Sequence, residues 1–161
     1  MGELRHDRTE MSELVMKEEI RDLLIGYARA LDYREWPRLE SMFTQEVFAN
    51  YGGTEIVRGR HHLIAMIRRY LDGCGPTQHL LGNFTIHILD GVATSRCYVR
   101  GMHAGLGAHA GAIYDFWGEY RDRLVLTHAG WQITERIEHV FHFTGDSGVF
   151  APAAPLAEAH G

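Results

Sequence analysis

Two residues of this chain, Asp32 and His79, are of the types that move a proton near neutral pH. Asp32 closes an apolar, helix-like stretch, Tyr27-Ala28-Arg29-Ala30-Leu31-Asp32, where the chain turns into Tyr33-Arg34-Glu35-Trp36. His79 opens a strand-like run, Thr77-Gln78-His79-Leu80-Leu81-Gly82-Asn83. A carboxylate that holds an imidazole in one tautomer makes a general base, because the pair can take a proton and return it. If the two meet, a carboxylate oxygen is expected about 2.6–3.2 Å from a ring nitrogen. His79 would then remove a proton from carbon while Asp32 orients it and stabilises the imidazolium. In a purely structural role the same residues would be a turn cap and a packed strand histidine.

Two further groups are candidates to assist. Tyr27 can donate a hydrogen bond to a substrate oxygen or a leaving hydroxyl, or pack as an ordinary helix aromatic. His103 shares strand parity with Cys97, Val99 and Gly101, whereas Arg96, Tyr98 and Arg100 take the other parity. Alternation therefore turns His103 toward the interior.

The elements that would position these groups are legible in the periodicity. Leu14, Val15, Ile20, Leu23, Leu24, Tyr27 and Leu31 recur at helical spacing, with Ser12 as N-cap and Glu13, Glu18 and Glu19 early, as the helix dipole prefers. A short helix fits Trp36 to Met42, with Pro37 in its first turn. Glu46 to Tyr51 and Thr54 to Val57 read as a hairpin around Gly52-Gly53. Arg60 to Leu71 is the third helix, stopped by Gly73-Cys74-Gly75-Pro76. Long strands follow: Gln78 to Leu89, a turn at Asp90-Gly91, Val92 to Ala104, Gly111 to Thr127, and Trp131 to Phe143. Helices first and long antiparallel strands after predict an α+β fold, with a strongly curved sheet wrapped around helices to leave an interior pocket.

The 161 residues suit one domain, read as a polar arm over 1–11, a body over 12–145 and an Ala/Pro-rich tail over 146–161, poorly ordered or draped on a partner. Sixteen basic against 21 acidic residues give net −5 without long runs, which argues against nucleic acid or an anionic membrane as partner. The polar, charged start does not read as a signal peptide, and no apolar run approaches membrane-spanning length. Cys74 and Cys97 form no metal-spaced motif or disulfide framework, so a reducing cytoplasm is the expected setting.

The segment Tyr27 to Trp36, followed by Leu39, Phe43 and Val57-Arg58-Gly59, resembles the SnoaL-like branch of the NTF2-like superfamily. Gln78-His79-Leu80-Leu81-Gly82-Asn83 and Gly130-Trp131-Gln132-Ile133 match the same branch, and the resemblance covers roughly residues 12 to 145. It implies a cone-shaped α+β barrel with a mixed, mostly antiparallel sheet. Within the branch the chain looks most like scytalone dehydratase, bile acid 7α-dehydratase and hexachlorocyclohexane dehydrochlorinase. These are cofactor-free lyases with an Asp–His pair, and Asp32 and His79 fall on the matching positions. Tyr27 matches a tyrosine of the bile acid enzyme, where the dehydrochlorinase has lysine. His103 matches a second histidine of scytalone dehydratase, and Arg136 an arginine of the last strand in the other two.

The expected chemistry is that of a cofactor-independent dehydratase-like lyase or an isomerase acting on a small apolar cyclic or aromatic molecule. His79 is the base, and Tyr27 or His103 assists the leaving group. Arg136 is expected to bind an oxyanion or close the pocket mouth, although its parity opposes Trp131 and Ile133 unless a bulge intervenes. Tyr51, Phe48, Phe84, Met102, Phe116 and Trp117 are expected to form an apolar wall. No metal site is expected: the other histidines lack ligand spacing, and His139 and His142 are three apart on a strand. Gly101, Gly105, Gly107 and Gly111 fall in a hairpin connection, not before a helix, so no nucleotide loop is expected.

The rival readings are a ketosteroid-isomerase-like proton shuttle, the non-catalytic small subunit of an aromatic-ring dioxygenase, and a plain ligand-binding module. A homodimer or homotrimer is expected through the sheet, with Tyr98, Tyr120, Leu124 and Leu126 offered as its face.

Overall fold

The apolar spacing read from Ser12 is one stretch of a longer helix, α1, which runs Gly2–Asp32. The structure is a computed structural model that describes residues 2–150, with side chains from residue 11 onward. Ser12 thus lies inside α1 and caps nothing. Ile20, Leu24, Tyr27 and Leu31, spaced four, three and four apart, are fully buried against the sheet. Met11, Leu14 and Val15 are exposed. The helices α2, Trp36–Met42, and α3, Arg60–Leu71, have the expected bounds.

Six strands follow the expected order: β1 Phe43–Tyr51, β2 Glu55–Arg58, β3 Thr77–Leu89, β4 Val92–Ala104, β5 Ile113–Thr127 and β6 Gly130–Gly145. They form one open sheet in the order β2-β1-β6-β5-β4-β3, antiparallel except where β1 pairs parallel with β6. Asp90 and Gly91 both take positive φ, at 49° and 75°, as a tight two-residue hairpin requires. The α+β cone expected from the sequence is the fold observed, with the sheet curling over α1 and α3.

Bulges set the curl and decide which side chains face inward. On β3 the register slips between Gly82 and Thr85, and Asn83 there has φ 53°. On β6 it slips twice, leaving Thr134 and Phe141 without single partners. Each bulge inverts the parity downstream of it. Past Thr134, Arg136 and Glu138 therefore face inward where simple alternation would turn them out. The short turn Ser147–Phe150 packs Val149 into the core, so the start of the expected tail is part of the body. Residues 151–161 of that tail lie outside the described residues.

The sheet face expected for assembly is corrected in part. Tyr120 and Leu124 point inward and are buried, whereas Tyr98 and Leu126 are exposed. On β5 the even positions from Phe116 to Leu124 take the inner face, so Tyr98 has Phe141 of β6, not Tyr120, as its aromatic neighbour, with centroids 6.1 Å apart. Among the described residues no helix is long and apolar enough to cross a membrane.

Candidate active site

Asp32 is the last helical residue of α1, and the turn after it is built to hold its carboxylate. Glu35 N–H donates to the Ala30 carbonyl at 2.9 Å and Arg34 N–H to the Leu31 carbonyl at 3.2 Å. This is a Schellman closure, which places Arg34 at the left-handed position usually given to glycine. Arg34 indeed has φ 59°. A side chain costs about 1 kcal/mol there, and here it gains a set of contacts. The guanidinium donates to the carbonyls of Leu31 at 2.6 Å and Gly75 at 3.0 Å, and to Thr77 Oγ1 at 2.8 Å.

Thr77 passes the order on. Its hydroxyl donates to Asp32 Oδ1 at 3.1 Å, and the His79 backbone N–H donates to Oδ2 at 2.9 Å. His79 Nδ1 lies 2.7 Å from Oδ1, inside the range expected from the sequence. A carboxylate can only accept, so Nδ1 carries the hydrogen and Nε2 keeps its lone pair. A negative charge at a helix C-terminus is at the unfavourable end of the dipole. Three donors at Asp32 offset that.

His79 lines a cavity of about 340 Å³, near the small end of the range for ligand pockets of roughly 300–1,000 Å³. His103 stands 5.1 Å away, ring edge to face, with Nδ1 buried and unpaired. Burial, and next the neighbouring His79, push its pKa down to about 3. His103 is therefore a neutral imidazole at physiological pH. Phe116 stacks on it at 6.0 Å and presses against Gly101, where a Cβ would come within 2.2 Å of the ring. Gly101 is thus the floor that lets Phe116 support both histidines.

Across the cavity, Tyr27 and Tyr51 share a hydrogen bond between hydroxyls at 2.8 Å. Two hydroxyls joined by one bond leave one donor proton free to point elsewhere. Behind them Arg136 is fully buried and held twice by Asp122, at 2.7 Å from both Nε and Nη2. Its guanidinium carbon sits 4.1 Å from the Tyr27 ring centre and 4.4 Å from that of Tyr120. Burial opposes its charge, and the Asp122 carboxylate more than restores it.

The structure therefore brings His79, His103, Tyr27, Tyr51 and Phe116 to one cavity, with Asp32 behind His79. Arg136 supports this wall from outside and does not line it. Phe48, Phe84, Met102 and Trp117 also lie elsewhere. Met102 and Trp117 alternate with His103 and Phe116 and so take the outer face, where Trp117 stacks with Arg100. Phe84 follows the Asn83 bulge and meets Arg21 of α1, and Phe48 lies under Arg58. Sequence reasoning missed Glu138, Tyr120, Arg34 and Thr77. A left-handed Arg34 leaves no composition signal, and Glu138 is disguised by the Thr134 bulge. Among the described residues no three of His, Cys, Asp and Glu are grouped to hold a metal ion.

Comparison with known proteins places this geometry in context. The model of the SnoaL-like domain matches residues 12–137. An uncharacterized protein of Mycobacterium tuberculosis is 29% identical over 136 residues, covering 82% of this chain and 91% of its own. A structure from Novosphingobium aromaticivorans, provisionally named a scytalone dehydratase, superposes with a TM-score of 0.77 at 19% identity, covering 84% of this chain and 90% of that one. A type 2 hexachlorocyclohexane dehydrochlorinase superposes at 0.76 and 15%, covering 92% and 99%. At these identities the solved structures establish a shared fold.

Proposed function

The chain belongs to the SnoaL-like domain family, and on that footing we propose that it is a cofactor-independent acid–base enzyme, a dehydratase-type lyase or an isomerase. The observation that carries this reading is the 2.7 Å contact between Asp32 and His79 beside an apolar cavity. His79 Nε2 takes a proton from a carbon next to a carbonyl, and Asp32 stabilises the imidazolium that forms. The free hydroxyl proton of the Tyr27–Tyr51 pair, or a neutral His103, hydrogen-bonds the departing group or a substrate oxygen. With a leaving group the outcome is elimination; without one it is isomerisation. The names of the dehydratase and the dehydrochlorinase among the structural neighbours fit elimination.

The substrate is a small, uncharged, largely apolar cyclic or aromatic molecule. Among the described residues no lysine or arginine lines the cavity, and Leu31, Met66, Ile67, Phe116 and Val140 form much of its wall. A non-catalytic subunit or binding module would leave the chain Arg34–Thr77–Asp32–His79 without a task. Such buried polar chains usually add less stability than apolar packing would. The reading calls for no cofactor. Buried free Cys74 and Cys97 suit a reducing, cytoplasmic setting. Exposed Tyr98 and Phe141 on the outer sheet face support assembly as a homodimer or homotrimer.

The direct test is exchange of the α-protons of 1-tetralone, an apolar bicyclic ketone, in deuterated buffer followed by NMR. The protein should catalyse exchange, and His79→Ala should slow it by about 100-fold or more, the usual contribution of a general base. Exchange equal in the two proteins would remove His79 from the chemistry.

A further inference from the structure

Glu138 is a carboxyl group set into the cavity wall. It sits on β6 between Tyr51 of β1 and Tyr120 of β5, its partners in the two adjoining ladders. The Thr134 bulge turns it inward, and its side chain lines the same cavity as His79. The described residues offer its carboxyl no hydrogen bond. Among the described residues the cation near it is Arg136, two residues back on its own strand, and that guanidinium is committed to Asp122 through two nitrogens. Glu138 is half-buried, and a carboxyl that faces an apolar cavity without a partner needs an explanation, since leaving one unpaired is costly. Burial, partly countered by Arg136, pushes the Glu138 pKa up to about 7.

A neutral carboxylic acid can donate a hydrogen bond where a carboxylate can only accept. Next to Glu138 the Tyr27–Tyr51 pair supplies one more free donor. Behind this wall lies the positive charge of Arg136, screened by the Tyr27 and Tyr120 rings. Converging donors favour an oxygen on which negative charge builds up. A ligand carboxylate would need a cation within the cavity, and none of the described residues supplies one to its lining. Glu55, the other acidic residue of the wall, is engaged by Tyr70 at 2.8 Å and by Arg69. His79 stands on β3, three strands away across the curl of the sheet. The cavity thus carries a base on β3 and donors on α1, β1 and β6.

We propose that Glu138 is a second catalytic group, whose acid form binds the carbonyl oxygen of an uncharged ketone while His79 deprotonates the adjacent carbon. The proposal rests on the acid–base reading above and extends it to the substrate class, an enolisable apolar ketone. His79 Nε2 takes the α-proton, and the C–H electron pair becomes the C=C bond of an enol. The carbonyl π pair moves to oxygen, which receives the Glu138 proton. If a β-hydroxyl is present, the enol returns its proton to Glu138 and re-forms C=O. The C–O bond then breaks, and the hydroxide leaves with the proton carried by His79. The products are an unsaturated ketone and water, with both residues back in their starting forms.

Binding should then depend on pH through Glu138. The titratable and charged groups that face it are Tyr27 of α1, Tyr51 of β1, Tyr114 and Tyr120 of β5 and Arg136 of β6, with Glu55, His79 and His103 lining the same cavity. Burial raises the tyrosines above their ordinary value, so they keep their protons through the range that matters.

The experiment uses 1-tetralone with the full chain and two readouts. Its affinity, followed by NMR titration across about pH 5.5–8.5, should weaken roughly five- to tenfold as Glu138 ionises, the worth of one lost hydrogen bond. Glu138→Gln keeps a donor of the same shape and should bind with the acid-side affinity at every pH. Glu138→Leu should bind weakly throughout. Proton exchange by Glu138→Gln should drop by about 100-fold, since an amide cannot lend a proton. Wild-type affinity that ignores pH, or a pH dependence unchanged in Glu138→Gln, overturns the role of Glu138 even if exchange occurs. Absent exchange with the pH-dependent affinity intact overturns the base chemistry and leaves Glu138 as the ligand-binding acid. Failure of the folded protein to bind 1-tetralone at all overturns both.

Discussion

The Arg34 guanidinium donates to the Thr77 hydroxyl at 2.8 Å, and that hydroxyl donates onward to Asp32 at 3.1 Å. One turn residue in a strained backbone conformation is thereby tied to the orientation of the proposed base. Arg34→Gly separates strain from contact. It should relieve the left-handed cost of about 1 kcal/mol while losing the side-chain hydrogen bonds to Leu31, Asp32, Gly75 and Thr77. Denaturant unfolding should shift little, and tetralone exchange should fall by roughly tenfold. Exchange at the wild-type rate would detach Arg34 from the site.

Asp32→Asn should cost less than His79→Ala. Asparagine can still receive the backbone N–H of His79, but it cannot stabilise an imidazolium as a carboxylate does. An exchange rate reduced by roughly 10- to 100-fold in Asp32→Asn, with tetralone affinity within about threefold of wild type, is the expected pattern. Equal losses of affinity and rate would instead mark Asp32 as a structural residue.

Two groups of the cavity wall should oppose each other in the dependence of stability on pH. His103 has its pKa lowered from 6.5 to about 3, so between those values only the unfolded chain binds its proton, and stability rises with pH. Glu138 has its pKa raised from 4.5 to about 7, so in that window only the folded chain binds its proton, and stability falls with pH. The slopes cancel where the windows overlap, between about pH 4.5 and 6.5. Urea unfolding of Glu138→Gln should expose the His103 slope, about 1.4 kcal/mol per pH unit steeper than wild type. His103→Phe should change the slope by the same amount in the other direction. Parallel curves for all three proteins would refute the pair.

The buried ion pair predicts an asymmetry. Arg136→Met strands the Asp122 carboxylate in the core and should cost about 3–5 kcal/mol in urea unfolding. Arg136→Met with Asp122→Leu should recover most of that loss. A double variant as unstable as the single one would show that Arg136 acts mainly through the tyrosine rings.

Assembly can be checked without a ligand. Tyr98→Glu with Phe141→Glu places charge on the exposed aromatic pair of the outer sheet face. Light scattering should show a dimer or trimer for wild type and a shift to monomer for the variant. A wild-type monomer at high micromolar concentration rejects the assembly.

Most of the frame could be read from the sequence because it is periodic. The helical spacing of Ile20, Leu24, Tyr27 and Leu31, and the alternation from Ala93 to His103, describe faces that are buried as read. The Asp32–His79 contact was legible because one residue ends a helix and the other opens a strand. What escaped lies downstream of bulges. Thr134 adds one residue to β6 and reverses the facing of Arg136 and Glu138, and nothing in their side chains announces it. Asn83 does the same for Phe84 on β3. Arg34 escaped because glycine is the usual mark of its conformation.

The parallel pairing of β1 with β6 also sets when the cavity can exist. Phe48 meets Glu135, 87 residues further along (135 − 48 = 87), and Tyr51 meets Glu138. Contacts of such long sequence separation form slowly, since a long loop must close before they reward it. During synthesis Tyr27, Asp32, His79 and His103 all leave the ribosome before residue 130, yet the wall bearing Glu138 is still missing. A nascent chain halted there would hold its base and orienter beside an open, apolar half-cone. Completion of the last strand is what gives that half-cone its second wall.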